Sequence, residues 1–260
     1  MHEGSHEVAQ KAFAIADMQQ KSHMLHIIDG SIAFLMQHEY GCMFLQQVLY
    51  TTRNLPEDAE GREEFLKRVV GAFQSYLLTK NNICECSCHR YGNYVVAMWL
   101  KLLQKLPASF VIQGHQPFAK FEEEVLSNIV TIGRNILGCR IILRLLEHER
   151  ASARLFQKLL EISTLESLMP TDGGNYVVQG ILDHGSTADK VQLLSHMYEF
   201  NNFLYYANDT YARHVVQKSF DRYPEPEVRA AQSQQLALVL KPNGRLKPVY
   251  QRLLRNSVKY

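Results

Sequence analysis

The residues best placed to do chemistry in this sequence are amides and aromatic rings. In GNYVVQGIL, which starts at Gly174, two amides, Asn175 and Gln179, bracket Tyr176 and a pair of valines. On a helix turning about 100° per residue, Gln179 falls roughly 40° from Asn175, and Tyr176 falls roughly 100° from it. The amides therefore stand side by side, one turn apart, with the ring next to them. Val177, Val178, Ile181 and Leu182 share the other half of the helix and can face neighbouring helices. Hydrogen-bonding groups beside a π-face suit an unpaired base, with polar groups for its edge and a ring for its face.

A single tyrosine on a helix is ordinarily amphipathic packing, so the weight rests on recurrence. The pattern returns as YGCMFLQQVL from Tyr40, YGNYVVAMWL from Tyr91, LGCRIILRLL from Leu137 and YARHVVQKSF from Tyr211. Aligned on the small residue, the copies begin at Gly41, Gly92, Gly138, Gly174 and Ala212, in steps of 51, 46, 36 and 38 residues. The short steps set a basic unit. The long ones imply insertions around Asn54–Glu64 and Ala108–Glu122, where Pro, Gly and charge gather. The small residue permits either a tight turn into the helix or close packing of the helix before it.

These motifs need helices to carry them, and helical periodicity runs through 65–78, 95–106, 140–160 and 214–223. An amphipathic segment precedes each copy, at 28–39, 69–78, 125–135, 161–170 and 193–206. Gly and Pro fall mostly between the helical stretches, and strand-like alternation is scarce. The expectation is an all-α protein, a single domain over 1–260 built as a helical-repeat solenoid. The valine pairs Val95–Val96, Val177–Val178 and Val215–Val216 are expected in its core.

On these residues the chain resembles the Pumilio (PUF) family of RNA-binding repeat proteins. GNYVVQ at 174–179 matches the family's base-reading helix at every position. YARHVVQK at 211–218 is similar to the family's last repeat, where Ala often replaces Gly. The stretch after it has six Lys or Arg and no acid in residues 241–260, and it is similar to the family's C-terminal cap, placed here at about 236–260. The resemblance covers roughly residues 20–260. It implies a right-handed curved solenoid of three-helix repeats whose second helices, starting near 42, 93, 139, 175 and 213, each meet one base of a single-stranded RNA running antiparallel to the chain. The first and fifth motif residues would meet the base edge and the second would stack.

Carried over residue by residue, the resemblance assigns Asn175 and Gln179 to uracil, with Tyr176 stacking. Cys42 and Gln46 resemble an adenine pair, with Met43 at the stacking position. Asn93 and Tyr94 match a uracil repeat whose fifth residue is Ala97, so one edge contact is lost. Cys139 and Arg140 match an adenine repeat in which Leu143 replaces the amide. Arg213, His214 and Gln217 occupy the last copy, and Arg213 has no base assignment. No copy carries the Ser-plus-Glu pair that the family uses for guanine. The implied function is selective mRNA binding in the 3′ untranslated region for post-transcriptional and translational regulation, by a monomer with protein co-regulators as further partners. Two other functions stay open: a ribosomal RNA-processing factor of the same fold with weak base specificity, and a protein-binding helical scaffold like armadillo or HEAT arrays.

Other chemistries find less support. Lys plus Arg number 28 against 26 Asp plus Glu, a net charge of +2, too balanced for a protein that grips nucleic acid mainly through phosphates. CECSCH at 84–89 offers thiols and an imidazole, but its cysteines lie two apart and no matching pair occurs elsewhere. A local loop with free thiols is expected there, and no metal or cofactor. His23, His26 and His38 belong to no ligand pattern. No Gly-rich strand–helix loop, GxSxG or HExxH motif is present, and Asp172 disfavours a phosphate at Gly173–Gly174, so no enzyme is expected. Five scattered cysteines suit a reducing compartment, the cytoplasm with nucleus or nucleolus as alternatives. No apolar run approaches the roughly 18 residues of a membrane helix, and the N-terminus does not resemble a signal peptide.

Overall fold

The computed structural model describes residues 3–79, 82–148, 153–220, 225–228, 230, 231 and 234. The described residues carry sixteen helices of six residues or more and no strand, only an isolated antiparallel bridge between Ile112 and His115. They form two compact units, 1–128 and 129–260. The basic C-terminal segment assigned to a cap, 236–260, lies outside the described residues.

The first unit comprises α1 (Glu3–Ile15), α2 (Met18–Asp29), α3 (Ile32–Gln37), α4 (Glu39–Arg53), α5 (Arg62–Leu77), α6 (Asn82–Cys88), α7 (Gly92–Lys105) and α8 (Pro117–Ser127). A longer helix, a short helix and a motif-bearing helix follow one another as α2–α3–α4 and again as α5–α6–α7. The motif-bearing helices lie side by side, with α4 packed on α7 and α1 packed on the other side of α4. The apolar stripe of each helix explains the stacking. Val95, Val96, Trp99, Phe65, Phe73 and Phe44 are buried, and Trp99 meets Phe121 edge-on at 5.5 Å between ring centres. Each such side chain contributes about 1.5–3 kcal/mol when removed from water.

The second unit repeats the scheme with α9 (Ile129–Arg134), α10 (Cys139–Leu146), α11 (Ala153–Leu159), α12 (Ile162–Leu168), α13 (Gly174–His184), α14 (Thr187–Met197), α15 (Phe200–Asn208) and α16 (Ala212–Lys218). Here α13 packs between α10 and α16. Val177, Val178, Val215 and Val216 are fully buried, as their spacing implies. Tyr198 stacks on Phe203 at 5.4 Å and shares a 2.8 Å hydrogen bond with the Ser219 hydroxyl. Local signals set the starts: Asp17 with Gln20 and Ser186 with Asp189 form capping boxes at α2 and α14, and Pro117 opens α8.

Three expectations change. The long steps between copies are only partly loop. The connections at 54–61 and 106–116 are indeed longer than 185–186 in the second unit. However, Arg62–Glu64 and Pro117–Glu122 are helical, and α4 and α7 reach 15 and 14 residues where α10 has 8. The periodic stretch 140–160 is two helices, α10 and α11. CECSCH is no loop: it is helix α6 with His89 just beyond its end, and Ile83, Cys84 and Cys86 are buried in the core. Thiols are small and apolar enough to pack there. No described helix is long and apolar enough to cross a membrane.

Candidate nucleic-acid interface

The small residue that opens each motif has a packing role. At Gly41 a Cβ would lie 2.5 Å from the Leu35 carbonyl oxygen, at Gly92 2.8 Å from that of Cys86, and at Gly174 it would overlap that of Leu168. Each partner sits six residues earlier, on the short helix. Of the two alternatives the sequence left open, close approach of the preceding helix is the one realised. None of the three glycines has a positive φ.

A second repeated device holds the start of each motif-bearing helix, and it was missed in the sequence. Three residues before the small residue stands a side chain that accepts from the first backbone N–H groups. His38 Nδ1 accepts from Gly41 at 3.4 Å. His89 Nδ1 accepts from Tyr91 and Gly92 at 3.3 and 3.2 Å. Asn135 Oδ1 accepts from Leu137 and Gly138 at 2.8 and 3.0 Å. Thr171 Oγ1 accepts from Gly174 at 3.1 Å. Asp209 Oδ1 accepts from Tyr211 and Ala212, both at 2.8 Å. These are capping contacts. Four residue types fill the five positions, so no recurring letter marks them. The signal available was the property, a side-chain acceptor at a fixed offset.

On this frame Asn175 and Gln179 meet as their spacing implies. Asn175 is 2% exposed, and its Nδ2 donates to the carbonyls of Thr171 and Asp172 at 2.9 and 2.8 Å. Its Oδ1 accepts from Gln179 Nε2 at 2.9 Å. The first amide is thus clamped to the capping turn and orients the second. Gln179, half-buried, has its Oε1 and its other N–H outside this relay. Beside it the Tyr176 ring is 50% exposed. Together they present a donor, an acceptor and a ring to solvent.

The other copies keep parts of this arrangement. Asn93 is clamped in the same way, to the carbonyls of His89 and Arg90 at 2.8 and 3.1 Å, and Tyr94 is exposed beside it. Ala97 is buried at the fifth position and supplies no amide. Cys42 Sγ donates to Glu39 O at 3.0 Å, Gln46 Nε2 reaches the Cys42 carbonyl at 3.2 Å, and Met43 is exposed. Cys139 Sγ donates to Ile136 O at 3.4 Å, next to exposed Arg140 and half-buried Leu143. Burial raises the pKa of both thiols, that of Cys139 to about 11, so both stay protonated donors at neutral pH. In α16 Arg213, His214 and Gln217 are all exposed. Arg213 therefore lacks the burial that the first motif residue has in the other four copies.

The cysteines of α6 form no part of this surface. They form no disulfide, and among the described residues no group of three or more His, Cys, Asp or Glu converges on a point.

A family model described as the Pumilio-family RNA binding repeat matches residues 31–51, 82–96, 128–160, 174–197 and 202–230. Each segment contains the start of one of the five motif-bearing helices. A search of curated proteins returns no match. Among solved structures, PUF-8 in complex with PBE-RNA superposes with a TM-score of 0.68 at 17% identity, over 96% of this chain and 71% of that one. The RNA-binding domain of yeast Puf5p bound to AAT2 RNA gives 0.68 at 12% identity, over 99% and 67%. The Puf3 RNA binding domain bound to a Cox17 RNA 3′ UTR recognition sequence gives 0.65 at 15% identity, over 92% and 62%. The chain thus spans about two thirds of the length of these structures and shares their fold.

Proposed function

From the premise that this chain belongs to the Pumilio family of RNA-binding repeat proteins, we propose that it binds single-stranded RNA and selects it base by base along its motif-bearing helices. The observation that carries this reading is the relay from the Thr171–Asp172 turn through Asn175 to Gln179, beside the exposed Tyr176 ring. A uracil edge offers an N–H donor and a carbonyl acceptor. Gln179 Oε1 takes the first and its outward N–H meets the second, while Tyr176 covers the base face. Asn175 acts as the orienting group, since its own amide protons are already committed.

On the same reading Gln46 with Cys42 meets adenine, and Met43 packs on that base. Asn93 and Cys139 mark subsites with weaker discrimination, because Ala97 and Leu143 supply no edge contact. Tyr94 and the planar guanidinium of Arg140 still stack there. The antiparallel register gives, from 5′ to 3′, one unassigned base at Arg213, His214 and Gln217, then uracil, weak adenine, weak uracil and adenine. The biological role proposed is binding of mRNA 3′ untranslated regions in the cytoplasm, with protein co-regulators acting on the bound transcript. Puf3, which shares the fold, is seen with such a sequence.

Selection from a random RNA pool tests this, with Tyr176→Ala alongside. Enrichment of a short motif with uracil 5′ of adenine, lost in the variant, is expected. A double change of Asn175→Ser and Gln179→Glu should move that one position from uracil toward guanine, and a footprint that does not move would overturn the base assignment. A second reading, ribosomal RNA processing by shape and backbone contacts, is favoured by the loss of the amide at Ala97 and Leu143. It is the outcome if RNA binds with no enriched motif.

A further inference from the structure

The first helix, which the family match does not include, has the build of a motif-bearing helix. Ser5–Phe13 reads SHEVAQKAF and Ala212–Phe220 reads ARHVVQKSF, with Val, Gln, Lys and Phe recurring in place after a small first residue. By that alignment His6, Glu7 and Gln10 hold the first, second and fifth motif positions of α1. Their burial follows the same order as in α4, α10 and α13: His6 is buried, Glu7 exposed and Gln10 half-buried.

The packing agrees. Helix α1 lies along α4, on the side opposite α7. The His6 ring stacks on Tyr40 with centres 4.7 Å apart, Phe13 meets Phe44 edge-on at 6.1 Å, and Gln10 Nε2 donates to the Met43 carbonyl at 2.9 Å. Beside these contacts is an open hollow of about 340 Å³ lined by Gln10, Met43, Gln46, Gln47, Tyr50 and Met98, a volume at the small end of ligand sites. The fifth-position amides of α1 and α4 thus share one hollow with the exposed Met43 side chain. The His6 Nδ1, buried, has no protein partner.

We propose that α1 is a sixth base-facing helix. Gln10 meets the edge of a nucleobase seated in this hollow against Met43, one nucleotide 3′ of the base met by Cys42 and Gln46. The inference rests on the base-by-base reading proposed above and extends it by one subsite. Gln10 keeps its Oε1 and one N–H beyond the bond to Met43, the same pair of groups that Gln179 presents. The subsite differs in its outer flank, where Glu7 replaces a stacking residue. A carboxylate has no π-face and repels phosphate, so this end discriminates by edge contact more than by stacking.

The test uses the full chain and three RNAs that share the selected motif. One ends at the adenine met by α4, one adds a 3′ nucleotide, and one adds an abasic 3′ nucleotide with ribose and phosphate only. The nucleotide should tighten binding about tenfold over the abasic extension. That ratio should fall several-fold in Gln10→Ala and rise in Glu7→Tyr, an exposed change that installs a ring. Equal affinity for the base and abasic extensions, with normal binding of the shortest RNA, would overturn the sixth subsite alone. Failure of all three RNAs to bind would overturn the base reading along with it.

Discussion

Asn175 and Gln179, the first and fifth motif residues, are bonded to each other but have separable roles, and their variants should separate them. Asn175→Ala removes three hydrogen bonds of a buried side chain, two to the capping turn and one from Gln179, and leaves the Asp172 carbonyl without its side-chain donor. The expected cost is about 1–2 kcal/mol of stability together with lost uracil preference. Gln179→Ala leaves the capping turn intact, so stability should change by less than about 0.5 kcal/mol. Discrimination of uracil from cytosine at that position should fall about tenfold, the loss of one edge contact. Denaturant titration paired with binding to RNAs substituted at that base checks both. The amides and ring were legible because spacing alone puts them together on a helix. The capping residues were not, because His38, His89, Asn135, Thr171 and Asp209 share an acceptor and an offset rather than a letter. Helix α1 escaped for a related reason: Glu7 stands where the recognisable copies carry Met, Tyr, Arg or His.

At the scale of elements, the glycines provide a paired test. Gly92→Ala pushes a Cβ against the Cys86 carbonyl at 2.8 Å, so α6 and α7 must separate, with an expected loss of about 1–3 kcal/mol. Gly71, inside α5, has nothing within 4 Å of a Cβ, and Gly71→Ala should stabilise by about 0.5–1 kcal/mol through helix propensity. Thermal unfolding of the two variants should therefore shift in opposite directions. Helix α6 was hidden because alternating Cys, Glu and Ser carry little apolar periodicity, yet its thiols pack against α5 and α7. Burial pushes the Cys86 thiol up to about 11 from 9.0, so the folded state favours the neutral form. This contribution is complete below about pH 9 and is lost as pH rises toward about 11. Unfolding midpoints between about pH 8 and 10.5 should fall, and less steeply in Cys86→Ala than in the wild type, whatever the absolute stability of that variant.

At the scale of the molecule, the recurrence of five copies was readable because each helix must bury the same face against its neighbours, which keeps Val, Leu and Ile in register. The lengths of α4, α5 and α7 were less readable, since extra helical turns and loops add to the spacing between copies alike. Charge decides between the two proposed uses of the repeats. A net charge of +2, with Arg140 and Arg213 as the cations among the first to fifth motif residues, leaves few side chains beside the bases to neutralise phosphates. Single-strand binding changes with salt by about −0.7 in log affinity per log salt for each phosphate neutralised. Two such contacts give a slope of about −1.4, with most of the affinity left to stacking on Met43, Tyr94 and Tyr176. Measuring binding of the selected RNA between about 50 and 200 mM salt checks this. A slope near −4 or steeper would mean about six neutralised phosphates, the signature of backbone binding. Tyr176→Ala would then cost little, and the ribosomal reading would replace the mRNA one. A shallow slope combined with a large Tyr176→Ala loss requires that bases, not phosphates, hold the RNA.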